Sequence, residues 1–147
     1  TLIVPRFARL AISKSLLLGH YIRIQIFLFF VCALFVFCSW IFAEPVLWLL
    51  GENYSTLKTE LVLATIGGCL NLAVGINYIL NSSRGWLLHP AIGIAIGIGG
   101  IISGVMLVDV STVTGVLYFN IFTGIVGLFV HPLFGFLKIA FLKNNSD

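Results

Sequence analysis

Charge is what this sequence has least of. Of its 147 residues, 9% are Asp, Glu, Lys or Arg, against 60% that are hydrophobic. A water-soluble domain carries about a quarter charged residues, so this chain is not one. Proline is scarce too: Pro5, Pro45, Pro90 and Pro132 are the only four, which leaves long stretches free to run as unbroken helix. The three cysteines, Cys32, Cys38 and Cys69, all fall in apolar stretches. An odd number gives no disulfide framework, and no CxxC pair offers a metal spacing. They read as small core or lipid-facing residues. The sequence has no glycine-rich phosphate loop, no GxSxG and no HExxH, so no catalytic residue, metal site or cofactor is expected. The net charge of +3 comes from basic residues set beside apolar runs. That is the pattern of a membrane orientation signal, and no nucleic-acid partner is expected.

What remains is hydrocarbon-like sequence, with a mean hydropathy of +1.14. It divides into four blocks, and the expected fold is all-α: a polytopic membrane protein with four transmembrane helices preceded by a surface amphipathic segment. Residues 1–23 form that segment, with Arg6, Arg9, Ser13 and His20 on one helical arc. Residues 24–138 form the transmembrane domain, with spans at about 24–43, 61–80, 86–108 and 113–137. Residues 139–147 are expected to be a cytoplasmic tail, polar from Asn144 to Asp147. Between the first two spans, PVLWLLGENYSTLKTE is too short of apolar residues to cross a bilayer and reads as an interfacial turn or helix stopped by Gly51. Asp109 to Thr112 makes a tight turn between spans three and four, which predicts an antiparallel pair.

The third block, WLLHPAIGIAIGIGGIISGVMLV, carries no acid, Lys or Arg. At 1.5 Å per residue it spans roughly 30 Å or a little more, the thickness of the bilayer's hydrocarbon. Gly93, Gly97, Gly100 and Gly104 are spaced four, three and four apart, so they share one helix face. Such small-xxx-small spacing lets a neighbouring backbone approach closely, and helix packing is expected to centre there.

Four spans put both termini on one side, with Arg6, Arg9, Lys14, Arg23, Arg84, Lys138 and Lys143. The opposite side has only Lys58 among bases, with Glu44, Glu52, Glu60 and Asp109. Seven against one is a positive-inside bias, which predicts cytoplasmic termini. Polar residues inside the spans are few. Asn71, Asn77 and Asn120 are costly in hydrocarbon unless they face protein or water. They read either as the lining of a substrate cavity, such as sugar hydroxyls need, or as helix–helix hydrogen bonds. Arg23, Arg84 and Lys138 read as ligands for lipid phosphates or as topology signals that snorkel to the interface. His20, His89 and His131 are scattered and read as interfacial or packed residues ahead of a metal or proton role.

The order of several pieces resembles a known family. PRFARL (Pro5 to Leu10) lies in a basic segment, FAEPVLWLLGENY (Phe42 to Tyr54) closes a span, and an Asn-bearing helix leads to NSSRG (Asn81 to Gly85). Up to about Lys138 the chain resembles the C-terminal end of polysaccharide biosynthesis membrane proteins. These are the O-antigen and capsule repeat-unit flippases of the multidrug/oligosaccharidyl-lipid/polysaccharide exporter superfamily. The resemblance implies flipping of polyprenyl-pyrophosphate-linked oligosaccharide across the inner membrane by alternating access between two helical bundles. It implies membrane lipids and the lipid-linked oligosaccharide as partners, together with an N-terminal helical bundle of the same transporter. Four helices supply one bundle and none to rock against it, so flipping is expected only with a second bundle, joined or supplied by an oligomer. A four-span accessory protein binding a glycolipid carrier or partner enzyme is the second reading, and a drug or cation exporter of the same superfamily the third.

Overall fold

The computed structural model describes residues 14–51, 54, 56–86 and 89–140, with backbone alone at Lys14, Ser15 and Ala140. They form α1 (Lys14–Ile41), α2 (Ala43–Leu50), α3 (Lys58–Ser83), α4 (Pro90–Leu107) and α5 (Val113–Ala140). Among the described residues there is no strand. All but α2 are long and apolar enough to cross a membrane, so the chain is an all-α, multi-pass membrane protein. At 28 residues, α1 and α5 are each about 42 Å long. They exceed the hydrocarbon core, so their ends reach the headgroups or the helices tilt.

The expected surface segment lies mostly outside the described residues. Its last part, from Lys14, is the first stretch of α1 and runs into the span without a break. Leu17 and Tyr21 are therefore core residues, packed with Leu80 and Ile139. A short helix, α2, stands where the sequence predicts a turn or helix stopped by Gly51. Ala43 and Leu47 are buried, Trp48 and Leu49 are 77% and 81% exposed, and Gly51 ends it with φ +119°, a conformation that favours glycine. Pro90 stands in the first turn of α4, where a missing amide costs little. In the turn before α5, Asp109 Oδ1 accepts from the Ser111 amide (3.0 Å) and hydroxyl (2.6 Å). Those bonds hold the Asp109 carboxyl below its usual range. Thr112 Oγ1 then accepts from the Gly115 amide at 3.0 Å and caps α5.

The bundle is built on α3. Its largest contact is with α5, followed by α1, while α4 touches mainly α5. Tyr21, Asn77, Asn81 and His131 meet at one end. Lys58–Glu44, Ser39–Thr65 and Glu60–Thr114 meet at the other. Spans consecutive in the chain are therefore antiparallel, α3 and α5 run parallel, and Arg23, Arg84 and Lys138 share an end.

Close packing does not centre on α4. A Cβ added at Gly97 would meet nothing within 4 Å, and one at Gly100 would make only ordinary contact with Val126 (3.7 Å). Of the expected stripe for which an approach is described, only Gly104 is tight, against Phe119 at 2.8 Å. Other close approaches are on α5. A Cβ at Gly124 would stand 2.8 Å from Leu70 Cβ, and one at Gly127 would stand 2.9 Å from Val74. The physical reason is that glycine spacing makes a groove without choosing what fills it. Leu70 and Val74 of α3 enter the grooves of α5, and α4 diverges from α5 beyond Gly104.

The polar seam and the two clefts

Where α4 leaves α5, a groove of about 290 Å³ opens between them. It is lined by Gly93, Gly97, Gly100, Thr123, Gly127 and His131 among others. Towards the Arg84 end lies a recess of about 410 Å³, which shares Gly93 and His131 and adds Tyr78, Asn81 and Trp86. Gly93, Gly97 and Gly100 thus form a smooth wall, not a packing seam.

Polar side chains run along the α3–α5 junction beside this groove. Thr114 donates to Glu60 at 3.1 Å near the Lys58–Glu44 end. Further in, Asn71 Nδ2 donates to Asn120 Oδ1 at 2.8 Å and to the Gly67 carbonyl at 3.0 Å. Gly67 lets this happen: a Cβ there would stand 2.9 Å from Asn120 Oδ1. One turn on, Thr123 donates to the Asn120 carbonyl at 2.9 Å. The Tyr78 and His131 rings meet edge to face at 5.8 Å, and Asn81 Nδ2 donates to the His131 carbonyl at 2.9 Å. Asn71 and Asn120 are exposed on the bundle surface. Their pairing leaves Asn71 Oδ1 and Asn120 Nδ2 with hydrogen-bonding capacity deep within the spans, where an unmade bond is expensive.

Asn77 belongs elsewhere. It is fully buried at the α1–α3 contact. Tyr21 Oη donates to its Oδ1 at 2.6 Å, and Gln25 Nε2 donates to the same oxygen. Asn77 Nδ2 returns bonds to Gln25 Oε1 (3.3 Å) and the Ala73 carbonyl (2.8 Å). Its amide is satisfied within the protein, so it is a packing residue and lines neither recess. The structure therefore brings Asn71 and Asn120 together and sets Asn77 apart.

Sequence reasoning left out Asn81, Thr123 and Tyr78. Asn81 falls just outside the expected span of 61–80, but α3 continues to Ser83 and Asn81 is 3% exposed. The signal was present: Asn77 and Asn81 are four apart, one above the other on the same helix. The candidate phosphate ligands sit at one end without converging. Arg23 and Lys138 are exposed, with Lys138 Nζ 5.5 Å over the Phe134 ring. Arg84 is half-buried, and burial pushes its guanidinium below its ordinary value. Among the described residues no three His, Cys, Asp or Glu side chains gather as metal ligands would.

A second cleft opens on the opposite side of α3. There α1 and α5 touch at the Tyr21–Phe136 ring contact (5.2 Å) and separate towards Trp40. The space between them is about 780 Å³, floored by Val62, Ile66, Cys69 and Ala73 of α3 and bounded by Leu128 of α5. Cys32 and Cys69 meet on its wall, each thiol donating weakly to the other's carbonyl (3.7 and 3.8 Å). Gln25 is its one amide, and Asn77 occupies that amide. Compared with family models, characterised proteins and solved structures, the chain has no match.

Proposed function

We propose that this chain is part of a membrane transporter that flips polyprenyl-pyrophosphate-linked oligosaccharide repeat units across the inner membrane for surface polysaccharide biosynthesis. Both termini face the cytoplasm in this reading, as the basic bias between the two ends favours. The observation that carries it is the exposed Asn71–Asn120 pair, in line with Thr123, His131 and Tyr78 along the groove. These are neutral donors and acceptors, the chemistry that sugar hydroxyls need, at a depth where lipid offers none. A drug or cation exporter needs a countercharge. The described acids Glu44, Glu60 and Asp109 stand at the outer end, and among the described residues no carboxylate lines the groove. Asn71 and Asn120 face out of the bundle, so the glycan would pass between this seam and a second bundle that moves against it.

The test is binding in nanodiscs of a fluorescent polyprenyl-pyrophosphate oligosaccharide, with and without tetraphenylphosphonium as competitor. Binding is expected, unaffected by the cation. Asn71→Leu and Asn120→Leu should each weaken it roughly threefold to tenfold, the worth of one hydrogen bond. Absence of binding, or displacement by the cation, would overturn the reading.

A further inference from the structure

We propose that Cys32 and Cys69 are a redox site: a dithiol within the spans that closes to a disulfide on meeting a lipid-soluble quinone and so staples α1 to α3. The inference is independent of the glycan reading.

The pair is one rung of a polar ladder between α1 and α3. Gln25 meets Asn77, Cys32 meets Cys69, and Ser39 meets Thr65 at 2.8 Å. On α1 these residues recur every seven positions, so a single stripe of the helix faces α3. The outer rungs fix the register and hold the cysteines opposite each other. Cys32 Sγ lies 3.7 Å from the Cys69 carbonyl, and Cys69 Sγ lies 3.8 Å from the Cys32 carbonyl. The two thiols also touch one another. Rotation about the Cα–Cβ bonds exchanges sulfur–carbonyl contact for sulfur–sulfur contact. Cys38 is six residues along α1 from Cys32 and so on another face.

Depth selects the reagent. Cys69 stands 11 residues from Lys58 and 14 from Ser83, about 17 and 21 Å from the two ends of α3. Oxidants confined to water do not reach that depth. Both cysteines line the cleft between α1, α3 and α5, which is the way in for an oxidant dissolved in lipid. Quinones are two-electron oxidants of that kind. Two S–H bonds break and one S–S bond forms; both electrons and both protons pass to the quinone's carbonyl oxygens, giving the quinol. The disulfide is neutral. A soft cation such as Cu(I) between two thiolates would leave a net negative charge in hydrocarbon, which is costly. The reaction gives up only weak S–H hydrogen bonds.

The experiment treats the whole reduced chain, in phosphatidylcholine nanodiscs without oxygen, with decylubiquinone. Its ring is fully substituted, so thiols have no free ring position to add to. Remaining thiols are then alkylated in denaturant and the peptides mapped by mass spectrometry. The expected product is a Cys32–Cys69 link in most chains, with Cys38 alkylated and one quinol formed per link. Oxidised glutathione should leave all three cysteines alkylated. Tributylphosphine, which enters lipid, should reverse the link. Because the link joins residues 37 apart, the oxidised protein should unfold roughly 10 °C above the reduced one. In Cys69→Ala the quinone should give neither an intramolecular link nor that rise. No link with the quinone would overturn the proposal, as would a link through Cys38 or equal oxidation by glutathione disulfide. A link that leaves the unfolding temperature unchanged would overturn the staple.

Discussion

Both α4 and α5 carry spaced glycines, and they use them in opposite ways. On α5, Gly124 and Gly127 receive Leu70 and Val74 of α3 at distances that leave no room for a methyl group. On α4, Gly97 faces open space and Gly100 makes ordinary contact, and both line a groove with Thr123 and His131. The difference lies in the partner. Helix α3 has bulky side chains at a spacing of four opposite the α5 glycines. Opposite the middle of α4, α5 presents Thr123, Val126, Gly127 and Val130, and none of these comes within 4 Å of a Cβ at Gly97. Without a hydrophobic effect between helices in lipid, close packing goes where shape is complementary on both sides. A smooth face that is left open becomes a wall.

The largest effect expected from this contrast is at Gly124. Gly124→Leu would drive a side chain against Leu70 Cβ, which cannot swing away because it is fixed to the backbone. A loss of about 3 kcal/mol should appear as a lower folded fraction in thermal unfolding in detergent. Next is Asn77→Leu, which strips Tyr21 and Gln25 of their shared acceptor in the core. It should cost about 2 kcal/mol and leave oligosaccharide binding intact once the protein is folded. If binding falls as far as it does for Asn71→Leu, Asn77 is not a packing residue.

The separation of the three asparagines was not legible in the sequence. All three sit deep in apolar runs, and only tertiary contact distinguishes Asn77, paired with Gln25 and Tyr21 of α1, from Asn71 and Asn120. The spans themselves were legible, because twenty or so apolar residues between polar turns admit few alternatives in a bilayer. So were the Asp109 turn and the stop at Gly51, where local hydrogen bonding and a left-handed backbone decide. The glycine stripe misled. Small-xxx-small spacing records where a helix can be approached, and the approaching side chains of α3 lie elsewhere in the chain. The start of the first helix was also hidden: Arg23 marks a boundary in charge, but α1 runs through it, with Leu17 and Tyr21 buried on its inner face.

Smaller effects sharpen the contrast. Asn71→Leu removes one interhelical hydrogen bond at an exposed position and should cost only about 0.6 kcal/mol, while weakening carrier binding. Stability and binding thus move in opposite order for Asn71 and Asn77. The smallest effect should be at Gly97. Gly97→Leu adds a side chain to open space and should change stability by less than about 0.5 kcal/mol. A loss there as large as at Gly124 would mean that α4 is closely packed after all.

The most direct test of the polar seam is whether water reaches it. Single cysteines at Asn120, Thr123, Ile125 and Phe129, in a protein with Cys32, Cys38 and Cys69 replaced by alanine, would be treated with a membrane-impermeant maleimide in proteoliposomes. The first two positions lie on the seam; Ile125 and Phe129 are exposed on other faces of α5. Labelling at 120 and 123, slowed by the polyprenyl-pyrophosphate oligosaccharide, with little at 125 and 129, is the expected result. Equal and negligible labelling at all four positions would place Asn71 and Asn120 in lipid and contradict a glycan path along α3 and α5.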